Sequence, residues 1–191
     1  MRYLWMTVMA ATLAGLALSA TSSLSREKGR AAASKLERIS SEAMDSGETI
    51  TLTQDEINSF LRYDYPEMPE GVRDLQVQLL KDTGVAHAFV DLSKLQGSVE
   101  GSFATFWLAA FRGERELKAT CRYTSADGQA VVELESAELD GRSIPKPILD
   151  WLVSTVLAEH IEGVELGRPT PLPHKLRQIR VEPGKAVITS N

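Results

Sequence analysis

Residues 116–139 read ELKATCRYTSADGQAVVELESAEL and show the fold most clearly. In the first half apolar and polar residues alternate, so that Leu117 and Cys121 fall on one face and charged or hydroxyl side chains on the other. A period of two is typical of a half-buried β-strand. Asp127 and Gly128 predict a tight hairpin turn, because both tolerate positive φ. The stretch therefore predicts a pair of antiparallel strands.

The returning strand changes its pattern part-way along. Val132 and Leu134 point to the same face, but the next strongly apolar position, Leu139, has the opposite parity. One extra residue in a strand reverses which side chains face the core. A β-bulge is therefore expected between Leu134 and Leu139.

The single cysteine, Cys121, shares the apolar side of its strand with Tyr123. One thiol cannot form an internal disulfide. We expect Cys121 to be buried and reduced.

Patterns on both sides extend this pair of strands. Residues 29–44 predict a helix with four apolar residues near one face: Leu36, Ile39, Ala43 and Met44. Thr53 and Glu56 form the signature of a capping box, which predicts a short helix starting there. That helix buries Ile57, Phe60 and Leu61. Further strands are predicted at 49–52, 72–80, 85–92 and in a final hairpin at 176–189.

Residues 142–160 read RSIPKPILDWLVSTVLAEH and predict a helix that is apolar on most sides. Pro147 suits the first turn, where a missing N–H costs nothing. The eleven residues from Ile148 to Ala158 span about 16 Å, too short to cross a bilayer. A helix apolar on most sides is buried on most sides. It is either an ordinary core helix, or a helix wrapped by a curved sheet that leaves room for a lipid.

Residues 102–113, SFATFWLAAFRG, hold four aromatic side chains in nine positions: Phe103, Phe106, Trp107 and Phe111. One interpretation is a short core helix or a buried strand, since most such aromatics belong to a core. The other is an apolar flap that closes a lipid cavity or touches a bilayer, where tryptophan and phenylalanine are common.

The N-terminal 25 residues, MRYLWMTVMAATLAGLALSATSSLS, carry no charge between Tyr3 and Ser25. Arg2 supplies a positive start, and Ser19 and Ala20 suit a cleavage site, as in a signal peptide. The run is also long enough to stay as a membrane anchor. Export is expected, with the protein periplasmic or otherwise extracytoplasmic, and either tethered to the inner membrane or secreted. The domain organisation predicted is residues 1–25 as signal or anchor, 26–45 as a helical lead-in and 46–191 as one domain.

Composition and motifs exclude several classes of function. The chain has 191 residues and a formal net charge of −5, without a basic patch for nucleic acid. His87, His160 and His174 have no second histidine or cysteine at metal-ligand spacing, and the glutamates around His160 are best explained as a charged helix end. No nucleophile elbow or glycine-rich phosphate loop occurs in the sequence. The chain is thus predicted not to be an enzyme, with no catalytic residue, metal or cofactor.

Three segments in order, 50–62 (ITLTQDEINSFLR), 139–153 (LDGRSIPKPILDWLV) and 169–189 (PTPLPHKLRQIRVEPGKAVIT), resemble the LmeA-like, YpmS-like and YceB-like bacterial envelope proteins. The shared features are few: Thr53, Glu56, Ile57 and Asn58 at a helix start, Ile144-Pro145 before the apolar helix, and a PLP before the last hairpin. These families are similar to tubular lipid-binding domains, so the resemblance implies a long helix inside a curved sheet and no catalytic residues.

The expected fold is therefore α+β, with a strongly curved antiparallel meander sheet wrapped around a long apolar helix and one or two further helices. The expected function is to hold a lipid or other apolar ligand between helix and sheet, with membrane contact through the N-terminal segment. The predicted cavity is lined by Phe103, Phe106, Trp107, Phe111, Leu149, Leu152, Val153 and Val156. The alternative is a non-catalytic envelope scaffold that binds a partner protein through its sheet edge or aromatic stretch. A hydrolase with a dispersed site is a third hypothesis.

Overall fold

The computed structural model describes residues 23–65, 68, 70–91, 94, 113–152 and 166–191, with backbone only for 150–152. Three helices and nine strands occur within these residues. They are α1 (Arg26–Ser40), β1 (Thr49–Thr53), α2 (Gln54–Tyr63), β2 (Val72–Leu80), β3 (Thr83–Asp91), β4 (Glu114–Ala126), β5 (Gln129–Leu139), β6 (Arg142–Ser143), α3 (Lys146–Leu152), β7 (Thr170–Pro171), β8 (Leu176–Glu182) and β9 (Lys185–Ser190).

The strands form two antiparallel sheets. A six-stranded sheet follows the chain in the order β2-β3-β4-β5-β6, and β7 also pairs with β5. A three-stranded sheet has the order β1-β9-β8. The α+β class with antiparallel strands and few helices is thus confirmed. Neither sheet is strongly curled in the described part of the chain, and a sheet wrapped around a long apolar helix is not confirmed.

The β4–β5 hairpin has the turn and the bulge that its sequence predicts. Asp127 and Gly128 form the turn with φ angles of 50° and 76°. The register shifts between Thr120 and Cys121, which pair with Ser136 and Leu134, so Glu135 is the extra residue of the bulge. Because of this shift, β5 keeps its apolar side chains facing the interior on both sides of the bulge.

Helices α1 and α2 share one core with both sheets. The capping box at the start of α2 is present: the Thr53 N–H donates to Glu56 Oε2 at 2.8 Å, and the Glu56 N–H donates to Thr53 Oγ1 at 3.2 Å. The buried side chains of this main core come from α1, α2, β1, β2, β4, β5, β8 and β9. Its larger members are Leu36, Ile39, Ile50, Leu52, Ile57, Phe60, Leu61, Val77, Leu79, Tyr123, Val132, Leu176, Ile179, Val181 and Ile188.

Helix α1 differs from its predicted extent. It ends at Ser40, and Ala43, expected on its apolar face, lies beyond the helix and is exposed. The hydroxyls of Ser40 and Ser41 donate to the Glu37 carbonyl at 3.1 and 2.7 Å. Such bonds compete with the helical ladder. Because Ala32, Leu36 and Ile39 of α1 lie in the main core, the helix belongs to the same folded unit as the sheets.

No helix among the described residues is both long enough and apolar enough to cross a membrane. The N-terminal 22 residues, where the sequence predicts such a segment, lie outside the described part.

Candidate functional site

A second group of buried apolar side chains lies where α3 meets the six-stranded sheet. Ile148 and Leu149 of α3 pack there, with exposed fractions of 1% and 9%. We call this group the end cluster: Ala88, Val90, Ala137, Leu139, Ile144, Ile148 and Leu149. It lies beside β3 and β5, whereas the main core takes the other halves of β4 and β5.

The chain enters α3 through a local structure that its prolines favour. The N–H of Ile144 donates to the Ala137 carbonyl at 2.8 Å, which holds the segment against β5. The N–H groups of Ile148 and Leu149 then both donate to Pro145, at 2.9 and 3.0 Å. Pro147, in the first turn of α3, has no N–H that would need a partner. The sequence thus turns directly from the sheet edge into an apolar helix.

Both apolar stretches identified in the sequence connect to this end of the sheet. The last residue of β3, Asp91, pairs with the first residue of β4, Glu114. The chain between them, residues 92–113, contains the aromatic stretch, so this connection leaves and re-enters the sheet at adjacent positions. Leu117 near this end pairs with Leu139, the last residue of β5, from which the chain passes to α3.

Of the eight residues predicted to line a cavity, the structure gives the surroundings of one, Leu149, in the end cluster. Leu152 is the last residue of α3, and its side chain is not described. The other six lie outside the described residues: Phe103, Phe106, Trp107, Phe111, Val153 and Val156. The shared cavity therefore stays a prediction.

The opposite face of the six-stranded sheet carries charged pairs, together with Val85, which is fully buried, and Phe89, which is exposed. Lys118 and Glu138 pair across β4 and β5 at 3.5 Å, and Arg122 pairs with Glu135 of the bulge. These side chains alternate with the apolar residues of the same strands, so the sheet separates an apolar face from a charged one. The end cluster lies on the other face, where Ala88 and Val90 of β3 are buried.

The outer edge of β2 is covered by α2. The Asn58 side chain, buried to 6% exposure, donates from Nδ2 to the Val77 carbonyl and accepts the Val77 N–H at Oδ1, both at 2.7 Å. Gln54 Oε1 accepts the Leu79 N–H at 2.7 Å. The amide of Asn58 thus replaces a neighbouring strand. Asn58 was named from the sequence only as part of a resemblance, and this role was not predicted. A polar residue between Ile57 and Phe60 on a buried helix face could have indicated it.

The outer edge of β8 is covered in a similar way. The hydroxyl of Ser125 donates to the Ile179 carbonyl at 2.7 Å and accepts the Ile179 N–H at 2.8 Å. The N–H of Asp82 donates to the Val181 carbonyl at 3.0 Å, and the N–H of Gly128 donates to the Arg177 carbonyl at 2.8 Å. The hairpin turns of the large sheet therefore bind the edge of the small one.

The single thiol is poorly suited to nucleophilic chemistry. Cys121 is buried at 3% exposure and has no disulfide partner, which confirms the predicted burial. Burial raises the pKa of its thiol to about 12. The reactive thiolate is therefore scarce at neutral pH.

The described residues hold no group of three or more metal-ligating side chains. Among the histidines, His87 lies on the outer face of the sheet, 3.9 Å from a carboxylate oxygen of Glu116. His174 lies before β8, and its burial lowers the pKa of the imidazole.

No protein-family model, curated protein or solved structure matches this chain. The resemblance to the envelope families therefore stays an expectation drawn from the motifs given above.

Proposed function

We propose that the protein is an extracytoplasmic, non-catalytic lipid-binding protein, which holds an acyl chain or similar apolar ligand beside α3. The observation that carries the proposal is that α3 packs Ile148 and Leu149 on the apolar face of the large sheet. Beyond Leu152, the last residue of α3, the amino-acid sequence continues to be apolar, with Val153, Val156 and Leu157. The connection that contains the aromatic stretch, residues 92–113, leaves and re-enters that sheet at the same end.

The affinity would come mainly from buried apolar area. Each acyl methylene removed from water contributes about 0.8 kcal/mol. Ten methylenes would therefore contribute roughly 8 kcal/mol before the cost of ordering is subtracted. Such a ligand needs no charged partner along its chain, so polar groups at the opening would act only on a head group.

The alternative scaffold function is less well supported where it depends on the outer edge of β2 or β8. A partner strand added to β2 would have to displace Asn58 and Gln54 from Val77 and Leu79. At β8 it would have to displace Ser125 from Ile179. A covered edge resists strand addition.

The test is to purify the full chain from membranes in mild detergent and to measure bound lipid by native mass spectrometry. Val153→Trp should fill the ligand space and lower lipid occupancy while the melting temperature falls little. Phe89→Trp, on the face with the charged pairs at 37% exposure, is the matched control and should leave occupancy unchanged.

The opposite result would contradict the proposal. In a fully packed core, Val153→Trp overpacks the site and costs about 1–3 kcal/mol or more. A large fall in melting temperature, together with a parent protein that carries no lipid, would favour an ordinary core helix.

A further inference from the structure

An exposed cluster of two arginines and a tyrosine lies where α1 begins and α2 ends. The guanidinium carbon of Arg26 lies 5.2 Å from the ring centroid of Tyr63, and that of Arg62 lies 5.8 Å from it. Both arginines are exposed and Tyr63 is half-buried. Side chains of this kind, with an apolar body and a polar tip, are enriched where a bilayer meets water. We call these three residues the Tyr63 cluster.

The chain that leads into α1 is fixed to α2 at two places, one helical turn from this cluster and at the opposite end of α2. Ser25 caps α1 by accepting the Lys28 N–H at 3.2 Å, and its own N–H donates to Ser59 Oγ of α2 at 3.1 Å. In the first turn of α2, at the end away from the cluster, Asp55 lies 2.7 Å from Lys28 Nζ and accepts a hydrogen bond from Ser23 Oγ at 3.3 Å. The uncharged N-terminal run ends at this same Ser25. A membrane segment would thus lead into the domain almost without a linker.

The available length can be estimated. The five steps from Ala20, at the end of the strongly apolar run, to Ser25 cover at most about 18 Å when fully extended. The interfacial layer on one side of a bilayer is about 5–8 Å thick. If the segment stays in the membrane, the start of α1 is held within roughly this distance of the hydrocarbon.

The Tyr63 cluster lies toward the α3 end of the large sheet. Gln54 of α2 binds Leu79 and Asn58 binds Val77, so α2 runs antiparallel to β2. Tyr63, further along α2, therefore lies toward the start of β2. Val72 there pairs with Val90, which belongs to the end cluster.

We propose that the N-terminal segment is retained as an anchor and that the Tyr63 cluster lies in the headgroup layer of the bilayer that holds this anchor. The α3 end of the sheet then faces the membrane, and the β2–β3 and β4–β5 hairpin turns point away from it. This orientation goes beyond the proposed lipid binding and does not depend on a bound ligand.

The orientation can be measured with two single-cysteine probes. Glu27 is exposed beside the cluster, and Ala126 is exposed at the far end of β4. β4 has 13 residues, so the two ends of the sheet are about 40 Å apart at roughly 3.4 Å per residue. Because Cys121 is buried, a dye will react selectively with Glu27→Cys or Ala126→Cys in the folded protein.

The labelled full chain is inserted into vesicles of phosphatidylethanolamine and phosphatidylglycerol that carry a headgroup nitroxide. The dye at position 27 should be quenched at least about threefold more strongly than the dye at 126, because only the former lies near the headgroups. Equal or reversed quenching would overturn the orientation. A mass of the purified chain that lacks the N-terminal segment would overturn its retention.

Charge reversal tests the cluster itself. Arg26→Glu with Arg62→Glu should lower quenching at position 27 about twofold, since the cluster then repels anionic headgroups. The matched control is Arg177→Glu with Arg180→Glu, two exposed positions on β8 next to the hairpin turns. Equal effects of the two double variants would exclude a role for the cluster. Lipid occupancy, measured separately, reports on the proposed function and is unaffected by either outcome.

Discussion

Replacing Asn58 with alanine removes the group that occupies the outer edge of β2. Two hydrogen bonds of 2.7 Å to Val77 are lost in a buried environment. Each bond contributes about 0.5–1.5 kcal/mol net, and each buried group left without a partner costs about 1–3 kcal/mol. We expect the free energy of unfolding to fall by about 2–5 kcal/mol, a large share of the 5–15 kcal/mol typical of a domain.

The measurement is urea unfolding of the full chain in mild detergent, followed by circular dichroism. With a slope of about 2 kcal/mol per molar, the midpoint should fall by roughly 1–2.5 M while the slope stays unchanged. Gln54→Ala is the matched control, since it removes one bond from the same edge and should cost only about 1 kcal/mol. A loss below about 0.5 kcal/mol for Asn58→Ala would refute the argument that this amide replaces a strand.

Three further predictions concern stability and its pH dependence. Gly29→Ala should destabilise the protein by about 1–3 kcal/mol in thermal unfolding, because the new Cβ collides with the Asp64 carboxylate and meets the Ser59 carbonyl oxygen at 3.1 Å. Ser34→Ala on the exposed face of α1 should be neutral. A neutral Gly29→Ala would show that Asp64 and Ser59 can move aside at little cost. The pKa of Cys121 is raised from 9.0 to about 12 in the folded protein, so between these pH values the thiol ionises only in the unfolded chain and the free energy of unfolding falls as pH rises. Cys121→Ala should flatten that fall. The same alkaline fall in the variant and the parent would contradict the assignment to Cys121. Burial alone would raise the pKa of Glu56, but the Lys35 ammonium and the Thr53 backbone hold it below 4.5. The contribution of Glu56 to the free energy of unfolding is therefore present above that pH and is lost as pH falls through the lowered pKa. In acid unfolding, Glu56→Gln should lose less stability than the parent, and parallel curves for the two proteins would argue against this ion pair.

Local patterns predicted what local forces control. The hairpin turn at Asp127-Gly128 and the capping box of Thr53 and Glu56 depend on residues within a few positions of each other, and both are present. The bulge before Leu139 was also predictable, since a change in alternation marks an extra residue. Such features can be predicted because the residues that cause them are close together in the sequence.

Distant pairing was not predictable in the same way. The strand patterns suggested one meander, whereas the structure has a second sheet in which β1 pairs with β9. Nothing near Thr49 indicates that its partner is Thr189. For the candidate site, the sequence identified two apolar stretches but gave no reason why both should start from one end of the sheet. That follows from the pairing of Asp91 with Glu114.

The pairing of β1 with β9 also determines when the chain can fold. Thr49 and Thr189 are adjacent across the small sheet although they are 140 positions apart in the chain. Closing a loop of that length costs roughly 4 kcal/mol of chain entropy, and contacts of such long range slow folding. The sheet cannot be completed until the last residues have been synthesised. Until β9 is available, β1 has no partner strand in the small sheet, whereas β2, β3, β4 and β5 each pair with a neighbour in the sequence.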